Sequence, residues 1–373
     1  MTATDHAGAV AGRRGARRHR ATAPARDGPG QPRGTREAET AAPDVPPGWT
    51  TNPSAWSRRL PLVGLALVGF CIAAYLAAYQ VGILPSVWEP FFGTGSRTVL
   101  TSWVSRALPV PDAALGALAY LCEAAAGLLG GRARWRTHPW LVMLYGAIVG
   151  LLGIASVVLA IAQPVAFGAW CTLCLASAAI SLTLVGPALE EVLASLQYVN
   201  RVSVAGGPAW GAFWGLAEAR APAPSPDRPA HRPPGRPGWW PQVAATALGL
   251  WLMAAPAVLG FGGLAAVNAH VVGPLVVACA WSAVWPAARP LRWGYGLLGL
   301  WLLVAPWLLS SPPAALANSM VVGALLALLA WRSAPASEGL GGGWLALLHD
   351  GLGADAPAAV GEEPRAASRR EPA

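Results

Sequence analysis

Residues 137–189 read THPWLVMLYGAIVGLLGIASVVLAIAQPVAFGAWCTLCLASAAISLTLVGPAL, and across these 53 positions there is no Asp, Glu, Lys or Arg. One crossing of a hydrocarbon core about 30 Å thick takes about 20 apolar residues at about 1.5 Å of rise each. The stretch therefore has room for two crossings. Gln163-Pro164 divides them, because proline cannot donate to the helix ladder and disfavours helical backbone in the residue before it. Spans are expected at about 140–162 and 167–189.

The same reading extends in both directions. Two further charge-free stretches, 237–288 and 293–331, hold 52 and 39 residues. They divide at turn residues into spans near 240–261, 269–286, 294–309 and 314–331. Toward the N-terminus, 60–84 and 112–130 complete a set of about eight. The fold class expected is an all-α polytopic membrane protein: a four-helix bundle followed by two tandem helical hairpins.

Composition agrees. Of 373 residues, 54% are hydrophobic and 12% are charged, against about 25% charged in an ordinary soluble domain. A soluble globular enzyme is excluded. All the basic residues are arginine, and the formal charge of +8 would suit nucleic acid only if they formed one patch. They lie instead in the tails and in alternate turns. Of the 26 arginines, only Arg97 and Arg106 fall on one side of the expected topology, where Glu89 and Asp112 offset them. By the positive-inside rule the other side, with both termini, is cytoplasmic. A multi-pass plasma-membrane protein with no nucleic-acid partner is expected.

The domain plan that follows is a tail over 1–59, a bundle over 60–190, a Pro-rich linker over 191–238, two hairpins over 239–332 and a second tail over 333–373. The tails lack apolar periodicity and are expected to be disordered. The mixed segment 85–111, with Trp88, Phe91, Phe92 and Trp103 beside its charges, is expected to lie at the outer membrane surface.

Within the second half, Gly249-Leu-Trp-Leu-Met-Ala-Ala-Pro256 returns fifty residues later as Gly299-Leu-Trp-Leu-Leu-Val-Ala-Pro306. Asn268 matches Asn318, Val271-Val-Gly273 matches Val321-Val-Gly323, and Trp281 matches Trp331 at the same offset. This is a duplicated hairpin whose copies share one orientation. It resembles the SPW repeat family, although the Ser-Pro-Trp triplet reads Ala255-Pro256-Ala257 and Ala305-Pro306-Trp307 here.

Cys171-Thr-Leu-Cys174 is the one pattern that carries chemistry. It falls in the first turns of the fourth span, at its outward end. Cysteines three apart share a helix face, and the positive end of the helix dipole stabilises a thiolate there. A stabilised thiolate makes the disulfide easier to reduce, and so a better oxidant. Two other readings stand beside the redox one. The cysteines could be small core residues, or half of a metal site, for which the nearest outward histidine, His270, lies in the other half of the chain.

The order of elements in 60–190 resembles the vitamin K epoxide reductase family. The resemblance rests on a first span, a long outward loop, Val99-Leu-Thr-Ser102, Pro109-Val-Pro-Asp112, Gly116, Tyr120, and a fourth span opening on Cys-x-x-Cys. It implies a membrane thiol oxidase with a quinone of the menaquinone or ubiquinone type as substrate and a thioredoxin-like extracytoplasmic partner. Cys174 would engage the quinone and Cys171 would be attacked by the relay thiol. Ser102 corresponds to a loop serine near the active site. Asp112 falls where a quinone carbonyl is bonded, or is an N-cap of the second span. Glu123, inside that span, is either a proton relay or snorkels toward the cytoplasmic arginines.

One departure matters. The family's loop carries a second, electron-shuttling cysteine pair, whereas here the loop has none and Ser96 stands in the place of its second member. Cys71 and Cys122 read as buried apolar filler. A different reading of the whole chain is a non-catalytic membrane scaffold.

Overall fold

A computed structural model of the chain describes residues 44–106, 109–216, 238–333 and 339–351. The first long helix, α1, covers Trp56–Gln80. A loop follows, with a short helix α2 (Gly95–Leu100), and then α3 (Asp112–Leu128). After a one-turn helix α4 (Arg134–Thr137) come α5 (Pro139–Ala166) and α6 (Thr172–Val204). A short α7 (Ala209–Phe213) ends this half. The second half is two hairpins, α8 (Trp240–Leu259) with α9 (Gly263–Ser282), and α10 (Arg292–Leu308) with α11 (Pro313–Arg332), joined by a 3₁₀ turn at Pro286–Leu291. A last helix, α12, covers Gly343–Gly351.

Six of these helices (α1, α5, α6, α8, α9 and α11) are long and apolar enough to cross a membrane. The other two expected spans form α3 and α10, each 17 residues long. Large apolar side chains such as Leu151, Ile154 and Val158 stay exposed on the outer surface, as lipid-facing residues must when the solvent is hydrocarbon.

Close helix approach in the first half comes from small residues, which let backbones near one another where lipid gives no hydrophobic drive for association. Gly69 of α1 leaves room for the ring of Tyr120, which a Cβ would meet at 2.7 Å. In the hairpins Gly249 packs against Gly273, and its repeat Gly299 packs against Gly323. The repeat also exchanges bonds between copies. Trp251 Nε1 donates to Asn318 Oδ1 at 2.8 Å, and Trp301 Nε1 to Asn268 Oδ1 at 2.9 Å. The halves meet where α9 packs on α5 and α6, with Trp281 Nε1 donating to Thr183 Oγ1 at 3.0 Å.

The structure differs from the sequence expectation at several edges. The third span continues through Gln163-Pro164 to Ala166, because a proline in the last turn costs only one ladder bond. The fourth starts at Thr172, since Gly168, with φ of 59°, turns the chain first. It then runs past residue 190 to Val204, so 191–204 is helix and not linker. Its charges are tolerated because they are paired: Arg58 Nη1 meets Glu190 Oε2 at 2.7 Å, and Arg134 meets Glu191.

Parts of both expected tails are ordered against this helix. Trp49 and Leu340 form a β-bridge, and Gln197 of α6 accepts from Trp49 Nε1 at 2.8 Å while donating to the Leu340 carbonyl at 2.8 Å. The rest of the tail and linker expectations, over 1–43, 217–237, 334–338 and 352–373, lie outside the described residues. Cys71 and Cys122 are exposed on the outer face of the bundle and are not buried filler; apolar spacing in a span does not say which face meets lipid.

Candidate active site

Cys171 is the N-cap of α6. Its backbone is extended, at φ −121° and ψ 111°, and its Sγ accepts from the Cys174 N–H at 3.2 Å. Cys174 is thus the third residue of the helix, and a disulfide joins the two, with Cα atoms 5.2 Å apart. A sulfur in the N-cap position takes the place of the usual oxygen acceptor for a free helix-end amide. The same amide and dipole act on a thiolate once the bond is reduced. The Cys171 N–H in turn donates to Gln163 Oε1 at 2.7 Å, tying the end of α5 to the start of α6.

The two sulfurs have different surroundings. Cys174 lines a cavity of about 110 Å³ between α1, α3, α5 and α6. Ser102, Asp112, Tyr120, Gln163 and Ser177 line it too, among apolar residues such as Leu76, Val104 and Leu152. Ser102, Asp112 and Cys174, which the sequence singles out separately, therefore line one cavity. Ligand clefts are commonly about 300–1,000 Å³, so this one takes at most a compact headgroup unless it widens.

Asp112 is the first residue of α3, with Pro111 as N-cap, so the N-cap reading is corrected. Its carboxylate accepts from Gln80 Nε2 at 2.6 Å, from the Ala113 N–H at 2.9 Å and from the Ser105 hydroxyl at 3.2 Å. Ser105 also lies 3.4 Å from the Ser102 hydroxyl.

Cys171 is fully buried, at 0% exposure. The loop that carries Glu89 is tied to Trp170 and Thr172, the two chain neighbours of Cys171. Glu89 Oε2 accepts from the Thr172 N–H at 2.9 Å and from the Ser96 hydroxyl at 2.5 Å, while Oε1 accepts from the Thr172 hydroxyl and from the Phe91 and Phe92 amides, each at 3.2 Å. Burial alone would raise the carboxyl's pKa, but the bonds from Ser96, Thr172 and Phe91 outweigh it and hold the pKa at about 2. Gly95 lies against the Trp170 carbonyl, where a Cβ would come within 2.0 Å. Phe92 and His270 flank the Trp170 ring, with centroids 6.4 and 5.6 Å away. Ser96 is itself fully buried. Sequence reasoning missed Glu89 because nothing local ties it to a helix that begins 83 residues later.

Glu123 belongs to a second cavity, of about 230 Å³, at the opposite end of the bundle. It is 2% exposed, and neither carboxylate oxygen has a partner among the described residues. Arg59, Arg134 and Tyr145 line the same cavity, so Glu123 faces the arginines without bonding them and without reaching the surface. Arg59 is spent on the end of α3, donating through Nε to the Gly127 carbonyl at 2.9 Å and through Nη2 to the Leu129 carbonyl at 2.6 Å. One helical turn before Glu123, the Tyr120 hydroxyl bonds the Ser181 hydroxyl at 2.6 Å and the Ser177 hydroxyl at 3.0 Å.

Residues 60–189 match the Vitamin K epoxide reductase family, and residues 239–333 match the SPW repeat domain. No curated protein and no solved structure matches the chain. The two matches lie one after the other in a single chain, and the first supports a membrane thiol-oxidoreductase-like role.

Proposed function

We propose that the chain passes electrons from an extracytoplasmic thiol to a membrane quinone through Cys171 and Cys174. The observation that carries this reading is the asymmetry of the disulfide, with one sulfur on the wall of a polar-spotted apolar cavity and the other in a fully buried residue beside the loop that carries Glu89. The end of the bundle that holds the arginines Arg58, Arg59, Arg132, Arg134 and Arg136 is then cytoplasmic, and the cysteine end faces outward in the plasma membrane.

A quinone bound in the cavity supplies an acceptor for two electrons and two protons. Cys174 is the sulfur positioned to engage it. The Ser102 hydroxyl, which carries a donor hydrogen, is the group placed to donate to its carbonyl. Asp112 acts by holding Ser105, which lines the wall beside Ser102, and by tying α3 to Gln80 of α1. An incoming thiol, carried by a thioredoxin-like partner or a small molecule, attacks Cys171 and forms a mixed disulfide as the Cys171–Cys174 bond breaks. With Ser96 unable to relay electrons, the thiol must reach Cys171 itself, so the loop has to lift. Glu123 and the Tyr120, Ser181 and Ser177 hydroxyls are the groups a proton route between the two cavities would use, with water bridging the gap from the unbonded Glu123 carboxylate to Tyr120.

Thiol-dependent quinone reduction by the purified protein in liposomes tests this. Cys174→Ala should reduce it to the uncatalysed background, and retention of wild-type turnover would overturn the mechanism. The second reading, a non-catalytic scaffold, is favoured by the cysteine-free loop and the buried Cys171. It predicts a disulfide whose state in cells does not respond to respiratory conditions.

A further inference from the structure

A carboxylate at the start of α6 runs against the chemistry of an oxidising disulfide. The free amides and dipole at a helix N-terminus stabilise a thiolate, and a stabilised reduced form makes a stronger oxidant. Here the Thr172 N–H, next to Cys171 in the chain, is already taken by an anion, Glu89. The anion is held there by five groups, two of them from Thr172 and one from Ser96. Its charge opposes a second negative charge on Cys171. Its bonds also seat the loop against Thr172, next to the fully buried Cys171.

We infer that Glu89 is a positioning and tuning residue. It keeps the Cys171–Cys174 pair a weaker oxidant than the helix start alone would make it, and with Ser96 it closes the loop over Cys171. The inference rests on the redox reading of the pair, and it assigns the two effects to separable groups. The charge belongs to Glu89, whereas the loop closure is shared with the Ser96 hydroxyl.

Other charged or titratable groups face this region. His270 packs edge-on to Trp170, Asp112 lines the Cys174 cavity, Tyr75 accepts from the Trp88 N–H through its hydroxyl, and Arg97 and Arg106 lie on the loop. None of them shares a hydrogen bond with Glu89, whose partners are Phe91, Phe92, Ser96 and Thr172.

The test is an equilibrium titration of the purified full chain against dithiothreitol. Reduction breaks the Cys171–Cys174 bond, takes two electrons and the protons the new thiols hold, and leaves cyclic oxidised dithiothreitol. Glu89→Gln keeps the shape and removes the charge. It should favour the reduced form about tenfold above the thiolate pKa, equal to about 30 mV for a two-electron couple. The gap should shrink toward zero in acid, where both proteins hold a neutral thiol. Ser96→Ala keeps the charge and loosens the loop, so it should speed reduction and leave the equilibrium unchanged. An unchanged equilibrium in Glu89→Gln, with the disulfide intact and the thermal midpoint of a folded protein, would overturn the proposal. So would a Ser96→Ala shift as large as that of Glu89→Gln, because the effect would then be structural and not electrostatic. Both readouts stand without quinone turnover, so loss of activity alone cannot mimic either result.

Discussion

Both ends of the first bundle use carboxylates to tie segments together, and they treat them in opposite ways. At the cysteine end, Glu89 comes from a loop, is bonded by hydroxyls and amides, and has no cation among those partners. At the arginine end, Glu190 and Glu191 come from a long helix and are paired with Arg58 and Arg134. Arg134 Nη1 also donates to the Ala126 carbonyl at 2.6 Å, and Ser54 donates to Glu191 Oε1 at 2.5 Å. One end is therefore a neutralised lock that joins helix ends. The other is a latch made of bonds that a modest loop movement can break. The loop opening that we propose thus falls on the side without ion pairs among the Glu89 bonds, where the disulfide lies.

The largest effect should come from breaking the lock. Arg134→Ala strands Glu191 in a site where both side chains are nearly inaccessible, and removing one partner of a buried pair costs about 3–5 kcal/mol. Denaturant unfolding in detergent measures it. A loss below about 1 kcal/mol would mean that this end is no more tightly tied than an exposed ion pair.

A smaller effect, of opposite sign, is expected at Glu123, the one acid at that end with no partner among the described residues. Glu123→Leu removes two unbonded buried oxygens and should raise stability by about 1–3 kcal/mol, while slowing quinone reduction if the relay is used. A stability loss with unchanged turnover would place Glu123 inside the lock.

The smallest effect is expected at the latch. Glu89→Gln should cost about 0.5–2 kcal/mol, as for loss of a helix cap. Its folded pKa, about 2, is below the usual carboxylate value of 4.5, so the stabilisation is fully present above pH 4.5 and fades as pH falls toward 2. The midpoint difference between wild type and Glu89→Gln should therefore stay flat from neutral pH to about 4.5 and then close. A difference that grew in acid would contradict an ionised latch.

Much of this architecture is legible in the sequence because membranes forbid charge. The empty stretches locate the spans, and the position of Cys171 just past a proline turn puts the pair at a helix start. The spacing of Gly249 and Gly299 exposes the duplication, whose copies the structure lays side by side. What stays hidden is whatever two distant segments decide together. Glu190 looks like the end of a span until Arg58, 132 residues earlier, neutralises it. Trp49 looks like tail until Gln197, 148 residues later, accepts its N–H. The face of α1 that carries Cys71 could not be assigned, since both faces of that helix are apolar and only packing against α3 distinguishes them.

The crossed Trp–Asn bonds of the repeats bear on how the chain is made. Trp251 finds its acceptor on α11, and Asn268 accepts from α10, so the first hairpin emerges from the ribosome with both groups unmatched. Each must wait for the second copy to be synthesised and inserted. A chain cut after residue 291 would leave an indole N–H and an amide facing hydrocarbon with no protein partner, a costly state in a bilayer. The duplication thus ties the polar groups of the first hairpin to the second, which supplies their partners.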